Sequence, residues 1–263
     1  MRYYIGTYYQ PATINIKVSA KKQCNINVHV YDSSQAFTYH TRRSRWFAPG
    51  EQKEFSVQMP ITGKGVVINV FEDAGDESCF EIKSMRKRPI IRTLNSVDQW
   101  DKNIRSFIPF AKKFAFNAGI LKTYDNRDYI NRAGLLKIGP EFRIRYVDVI
   151  MEDGMPHLTP ARIGIEDKLI EISKEKFRPM TIPARACIEF HEFSHLFVNK
   201  DMRNESEADI NGLKMYFACG FPVIEAKEMF IEIFSENDSQ ENNDRYDKVK
   251  KFIDQYEKIY HES

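Results

Sequence analysis

The hydrophobic pattern of this chain changes period near residue 88. Before that point apolar and polar residues alternate. Ile14, Ile16 and Val18 interleave with Asn15, Lys17 and Ser19, and Ile26, Val28 and Val30 interleave with Asn27 and His29. Phe55, Val57 and Met59 repeat the rule, and Val66 to Phe71 reads as a more buried strand. A period of two sends one face of each strand into a core and the other into solvent. Turn-forming clusters separate the runs, at Tyr31-Asp32-Ser33-Ser34, Ala48-Pro49-Gly50 and Ile61-Thr62-Gly63. Short strands at this spacing predict an antiparallel β-sandwich, jelly-roll-like, over residues 1–88. The charged stretch Lys83 to Pro89 reads as the linker to a second domain, residues 89–263. The expected class is α+β.

In the second part the spacing suits helices with a few strands. A helix is expected from Ser96 to about Lys122, kinked or split at Pro109. Residues 142–150 alternate as a strand, and 161–172 read as a hairpin turning at Glu166-Asp167-Lys168. A helix from about Pro183 to Asn199 has proline in its first turn, and another runs from Glu205 to Ala218 before Gly220. Residues 236–244 read as an acidic loop, followed by an amphipathic helix from Asn243 to about Tyr260.

Composition limits the partners. The 39 basic and 37 acidic residues leave a net charge of +2, which gives no field favouring nucleic acid or an anionic membrane. The clusters Arg42-Arg43-Arg45 and Arg86-Lys87-Arg88 read as solvated loops. No apolar run nears the roughly 20 residues that span a bilayer, and the N-terminus lacks the apolar core of a signal peptide. The expected location is therefore cytoplasmic or virion-associated. Cys24, Cys79, Cys187 and Cys219 show no CxxC spacing and read as reduced, buried thiols.

The chemistry lies in His191-Glu192-Phe193-Ser194-His195, set in an apolar helical stretch with Ile188, Phe190 and Phe197. Histidines four apart stack on one helix face, so both imidazoles can reach one ion. Glu192 sits about 100° around that helix, able to reach an attacking water without displacing a ligand. Two histidines and a glutamate buried without a metal or partners would cost several kcal/mol. A second signal follows at Asn204-Glu205-Ser206-Glu207-Ala208-Asp209. Catalytic zinc usually takes three protein ligands, and Glu205 can be the third. Asp209 shares its face and can accept the outer N–H of a zinc histidine. Glu207 points elsewhere. The plainer reading of these acids is a solvated helix N-terminus. Cys187 also lies four before His191, but ligands at 187, 191 and 195 would span about 12 Å of helix axis, too long to converge.

His-Glu-x-x-His with a following Asn-Glu-x-x-x-Asp resembles the gluzincin metallopeptidases. The short interval to Glu205 is more similar to the CaaX-prenyl-protease and phage-repressor-cleaving branches. The resemblance covers residues about 140–263. It implies zinc held by His191, His195 and Glu205, with Glu192 as catalytic base and Asp209 and Asn204 as a supporting second layer. Ser194 stands where those branches often carry Gly. The His-Pro that precedes an Arg in the prenyl-protease branch is absent, the text here being Asn243-Asp244-Arg245. The donor that would steady a tetrahedral oxyanion is then sought among Arg245, Tyr246, Tyr216 and His157. Residues Ala161 to Ile165 are the candidate edge strand for a peptide added in β fashion.

The implied function is that of a zinc-dependent metalloendopeptidase acting on protein or peptide substrates. Two other readings stand beside it. One is a structural virion or assembly component whose zinc is stabilising or weakly active, meeting its neighbours through the sandwich. The other is a binding module in which Tyr3, Tyr4, Tyr8, Tyr9, Phe37, Tyr39 and Trp46 recognise a protein or glycan; such aromatics also serve in packing.

Overall fold

A computed structural model describes residues 1–35, 38–90, 101–121, 143–157, 159–166, 168–235 and 239–261. The expected positions of Phe37, of the helix start at Ser96 and of Asp167 lie outside the described residues. The chain is mixed α+β and forms two compact units, Met1–Thr93 and Leu94–Ser263.

The first unit contains seven strands: β1 (Arg2–Gly6), β2 (Ala12–Ala20), β3 (Cys24–Asp32), β4 (Tyr39–Phe47), β5 (Gln52–Met59), β6 (Gly65–Glu72) and β7 (Phe80–Pro89). They make two antiparallel sheets, ordered β1-β6-β3-β4 and β5-β2-β7. The period-two residues of both sheets meet in one core: Ile14, Ile16, Val18, Ile26, Val28, Val30, Phe55, Val57, Val66 and Ile68 are all buried. Every strand connection except β3–β4 passes from one sheet to the other.

Two expectations need correction here. Lys83 to Pro89 is not a linker but most of β7, paired along its length with β2. β7 is an edge strand with β2 as its one neighbour among the described residues, and edges are guarded by lysine, arginine and proline. Linkers carry those residue types too. Likewise Arg42-Arg43-Arg45 lies in β4, not in a loop. Arg43 is buried and donates to the Ser56 carbonyl at 3.0 Å, and Arg45 donates to that of Glu54 at 3.3 Å. These guanidinium groups cap carbonyls along the edge of β5, where no strand follows among the described residues.

The second unit runs α1 (Lys102–Asn117), β8 (Arg143–Val147), β9 (Met151–Glu152), β10 (Met155–Pro156), β11 (Ala161–Gly164), β12 (Leu169–Ser173), α2 (Lys174–Phe177), α3 (Ile182–Phe197), α4 (Glu205–Ala218), α5 (Val223–Ser235) and α6 (Gln240–His261). The sheet is ordered β11-β12-β8, antiparallel on one side of β12 and parallel on the other. Pro109 lies inside α1, and the helix runs through it unsplit. The acidic stretch read as a loop is helical from Gln240 onward. Ser239 Oγ accepts the Asn242 amide at 3.2 Å, and Gln240 reaches Asp244 one turn on at 2.9 Å, so polar side chains start the helix. Among the described residues, no helix is long and apolar enough to cross a membrane.

α3 is central to this unit. Thr181 caps it by accepting the Ala184 amide at 3.3 Å, and Pro183 occupies the first turn. Its apolar face packs on α1, where the rings of Phe107 and Phe193 stack at 3.9 Å. Fully buried Arg185 donates to the carbonyls of Ala115, Phe177 and Arg178, tying α3 to α1 and to the turn after α2.

Candidate metal centre

α3 presents His191 and His195 one turn apart, and α4 crosses it closely. Gly212 permits the approach: a Cβ there would lie 3.0 Å from the His191 backbone nitrogen and 3.1 Å from its Cα. Glu205, Asp209 and Gly212 are spaced four and three apart, so they share the face of α4 that meets α3. Sequence reasoning passed over Gly212, although its spacing from the two acids marked it.

The side chains then converge. His191 Nε2 lies 3.1 Å from His195 Nε2 and 3.3 Å from Glu205 Oε2, and His195 Nε2 lies 3.6 Å from Glu205 Oε1. Among the described residues, these three form the group able to hold a metal ion. The outer nitrogens are already committed. His191 Nδ1 meets Asp209 Oδ1 at 2.9 Å, and His195 Nδ1 meets the Met202 carbonyl at 2.8 Å. Both partners are acceptors, so each Nδ1 carries a proton, and once a metal displaces the second proton of His191 each ring turns an Nε2 lone pair inward. Two lone pairs 3.1 Å apart repel unless a cation or proton lies between them. Donors at about 2.0–2.1 Å from a tetrahedral zinc are separated by about 3.3 Å, and the three spacings bracket that value. The residues therefore fit a small divalent ion.

The electrostatics point the same way. Burial works to lower the pKa of His191, but hydrogen bonds to Asp209 and Glu205 overcome it and raise the pKa to about 10. The cluster thus draws positive charge to the space between the rings. Asp209 is buried, and although burial pushes its carboxyl up, His191 and Arg245 hold it below its ordinary value. Arg245, from α6, grips Asp209 with two donors at 2.9 and 3.0 Å and reaches Glu205 Oε2 at 3.2 Å. One guanidinium group thereby orients the Glu205 carboxylate of the candidate metal group and the carboxylate behind His191, as planar, forked donors do well.

Glu192 is buried and lines the same cavity, of about 440 Å³. Burial pushes its carboxyl up to about 7, against the pull of His191. Cys187 also lines the cavity but is not among the converging donors, and burial pushes its thiol well above the ordinary range.

The supporting residues divide. Asp209 sits behind His191, its Oδ1 2.9 Å from Nδ1. Asn204 instead caps α4, its Oδ1 accepting the Glu207 amide at 3.0 Å, and makes no hydrogen bond to a ligand side chain. Glu207 is not idle: it accepts the Lys200 amide at 3.1 Å and the Asp201 amide at 3.4 Å, pinning the loop whose Met202 carbonyl holds His195.

Of the four oxyanion candidates, Tyr216 is fully buried and donates to the Pro222 carbonyl, and Tyr246 packs edge-on against Phe234 away from the cavity lining. Arg245 is taken by the carboxylates. His157 lines the cavity, with Glu152 3.0 Å from its Nε2. α5 was not anticipated at all, yet it contributes Met229, Phe230 and Ile233 to the wall. Its signal was a proline at 222 followed by apolar residues at helical spacing.

No protein-family model, no curated protein and no solved structure matches the chain.

Proposed function

We propose that the chain is a zinc-dependent metalloendopeptidase of gluzincin type, its second unit a zincin-like domain. The reading rests chiefly on one observation: two imidazole Nε2 atoms and a carboxylate converge while each Nδ1 is fixed by its own acceptor. A bound zinc supplies Lewis acidity, polarising a peptide carbonyl and making water a better nucleophile. Glu192 accepts the proton of the attacking water at its carboxylate and delivers it to the departing amide nitrogen, a task suited to a group titrating near neutrality. Asp209 and Arg245 hold the ligands in place. His157 could donate to the developing oxyanion only by giving up Glu152, since its Nε2 meets that carboxylate at 3.0 Å and its Nδ1 accepts the Thr159 amide at 3.3 Å. β11 pairs on one side only among the described residues and lines the cavity, so an extended peptide can add to it while apolar side chains meet Met229, Phe230 and Ile233.

A structural zinc site, as in an assembly protein, ordinarily closes with a fourth protein ligand. The cluster of described residues has three. The test is Glu192→Gln in zinc-loaded protein digesting a peptide library. It should keep one zinc per chain and lose at least about a hundredfold in turnover, the lower range for a positioned proton-transfer group. Zinc-loaded wild type that cleaves nothing would return the structural reading to first place.

A further inference from the structure

Resting on that reading, we infer that Arg203 makes the site select substrates carrying an acidic side chain close to the scissile bond. Three arginines line the cavity: Arg162, Arg203 and Arg245. Two are neutralised. Arg162 meets Glu171 at 2.7 Å and Glu152 at 3.5 Å, and Arg245 is held by Asp209 and Glu205. Arg203 is exposed, and among the described residues no carboxylate or hydrogen-bond acceptor engages its guanidinium group. Its backbone amide does have a partner, Asp201 Oδ1 at 3.0 Å.

The position of Arg203 is fixed from both sides. Met202, one residue before, gives its carbonyl to His195, and Asn204, one residue after, caps α4. The loop amides of Lys200 and Asp201 are pinned by Glu207. A five-donor cation is thus mounted on an anchored loop at the mouth of the cavity. Deeper in, a bound divalent ion and Arg245 would offset Glu205, Asp209 and, when ionised, Glu192. The unbalanced charge that an incoming peptide meets is Arg203. Its fork matches a carboxylate in two-point geometry.

The experiment compares zinc-loaded wild type and Arg203→Glu on paired fluorogenic peptides that differ only in Asp or Glu against Asn or Gln beside the cleaved bond. Library digestion first locates that bond. The readout is the acidic-to-neutral ratio of kcat/KM within each protein. Wild type should prefer the acidic peptides about fivefold, the worth of an exposed ion pair, and the preference should shrink in 0.5 M salt. In Arg203→Glu the ratio should fall below one, and in Arg203→Lys it should keep part of the wild-type preference. Cleavage without an acidic preference, or a preference unchanged in Arg203→Glu, overturns the inference and leaves the peptidase reading intact. Absence of any cleavage by zinc-loaded wild type overturns both.

Discussion

The two units are held together by opposite means. In the first, two sheets share a core of aliphatic and aromatic side chains, with buried Asp32 at the end of β3 accepting the Gly63 amide and Arg43 of β4 donating to the Ser56 carbonyl. In the second, the central helix carries Arg185, Glu189, Glu192, Ser194 and His195 into the interior. Burying charge costs free energy that hydrophobic packing must offset. The first unit thus resembles a scaffold built for stability, and the second gives up part of its core to hold groups in a chemical arrangement. Substitutions should separate the two accordingly.

The largest effect belongs to the scaffold. Phe55 is fully buried between the sheets, and Phe55→Ala should cost about 3–5 kcal/mol, the usual loss for deleting a core aromatic ring. Hydrogen exchange followed peptide by peptide should place the loss of protection within residues 1–93, with zinc affinity unchanged. A matching loss in α3 and α4 would break the contrast.

Acid should expose a weak point in the same scaffold. His40 is buried, and burial pushes its pKa down to about 3 from an ordinary value of 6.5. A group with a depressed folded-state pKa gives stability that is present above its unfolded value and lost as pH falls toward the folded one. Between pH 7 and 4 the first unit should lose about 3 kcal/mol through this residue, at about 1.4 kcal/mol per unit of pH. In His40→Gln that slope should vanish. An unaltered acid profile, measured by denaturant unfolding at each pH, would show that His40 is not the cause.

Legibility in the sequence follows the same division. Alternation such as Ile14-Asn15-Ile16-Lys17-Val18 is local, so the strands and their buried faces were readable without knowing the partners. β7 was not, because its neighbour lies some 70 residues away along the chain and its lysines and arginines serve an edge. The candidate cluster could be assembled from the sequence because helical spacing alone puts His191 over His195 and Glu205 over Asp209. What spacing could not supply was which distant residue completes the arrangement. Arg245 arrives from α6, and Met202 contributes a backbone carbonyl that no side-chain pattern encodes. Asn204 was misjudged for the opposite reason: its adjacency to Glu205 suggested a shared role, whereas its side chain turns to the helix end.

The candidate metal centre supplies the third test. Asp209→Asn removes the negative charge behind His191 and the carboxylate held by Arg245, while keeping the size of the side chain. Residues behind a ligand typically contribute 10–100-fold to metal affinity, here about 1.4–2.7 kcal/mol. Competition titration against a chelating dye should show that loss, with exchange protection in residues 1–93 unchanged. Wild-type affinity in Asp209→Asn would mean that His191 needs no orienting partner.

The smallest effect decides what Asn204 is for. Its Oδ1 satisfies the Glu207 amide at the start of α4, and its own carbonyl accepts from Asn199 Nδ2 at 3.1 Å. An unsatisfied amide at a helix start costs about 1 kcal/mol when the capping side chain is cut back to alanine. Asn204→Ala should therefore lower the stability of the second unit by about that amount. Asn204→Asp, which keeps a capping oxygen, should recover it. Zinc affinity should move less than threefold in either variant, because Asn204 bonds to no ligand side chain and Glu205 remains held through Arg245. The discriminating comparison is with Asp209→Asn: a stability loss with metal affinity kept in Asn204→Ala, against a metal loss in Asp209→Asn, would separate a residue that builds the helix from one that builds the site. If Asn204→Ala instead weakens zinc as much as Asp209→Asn does, the first turn of α4 and the metal form one unit, and capping the helix is itself part of binding the ion.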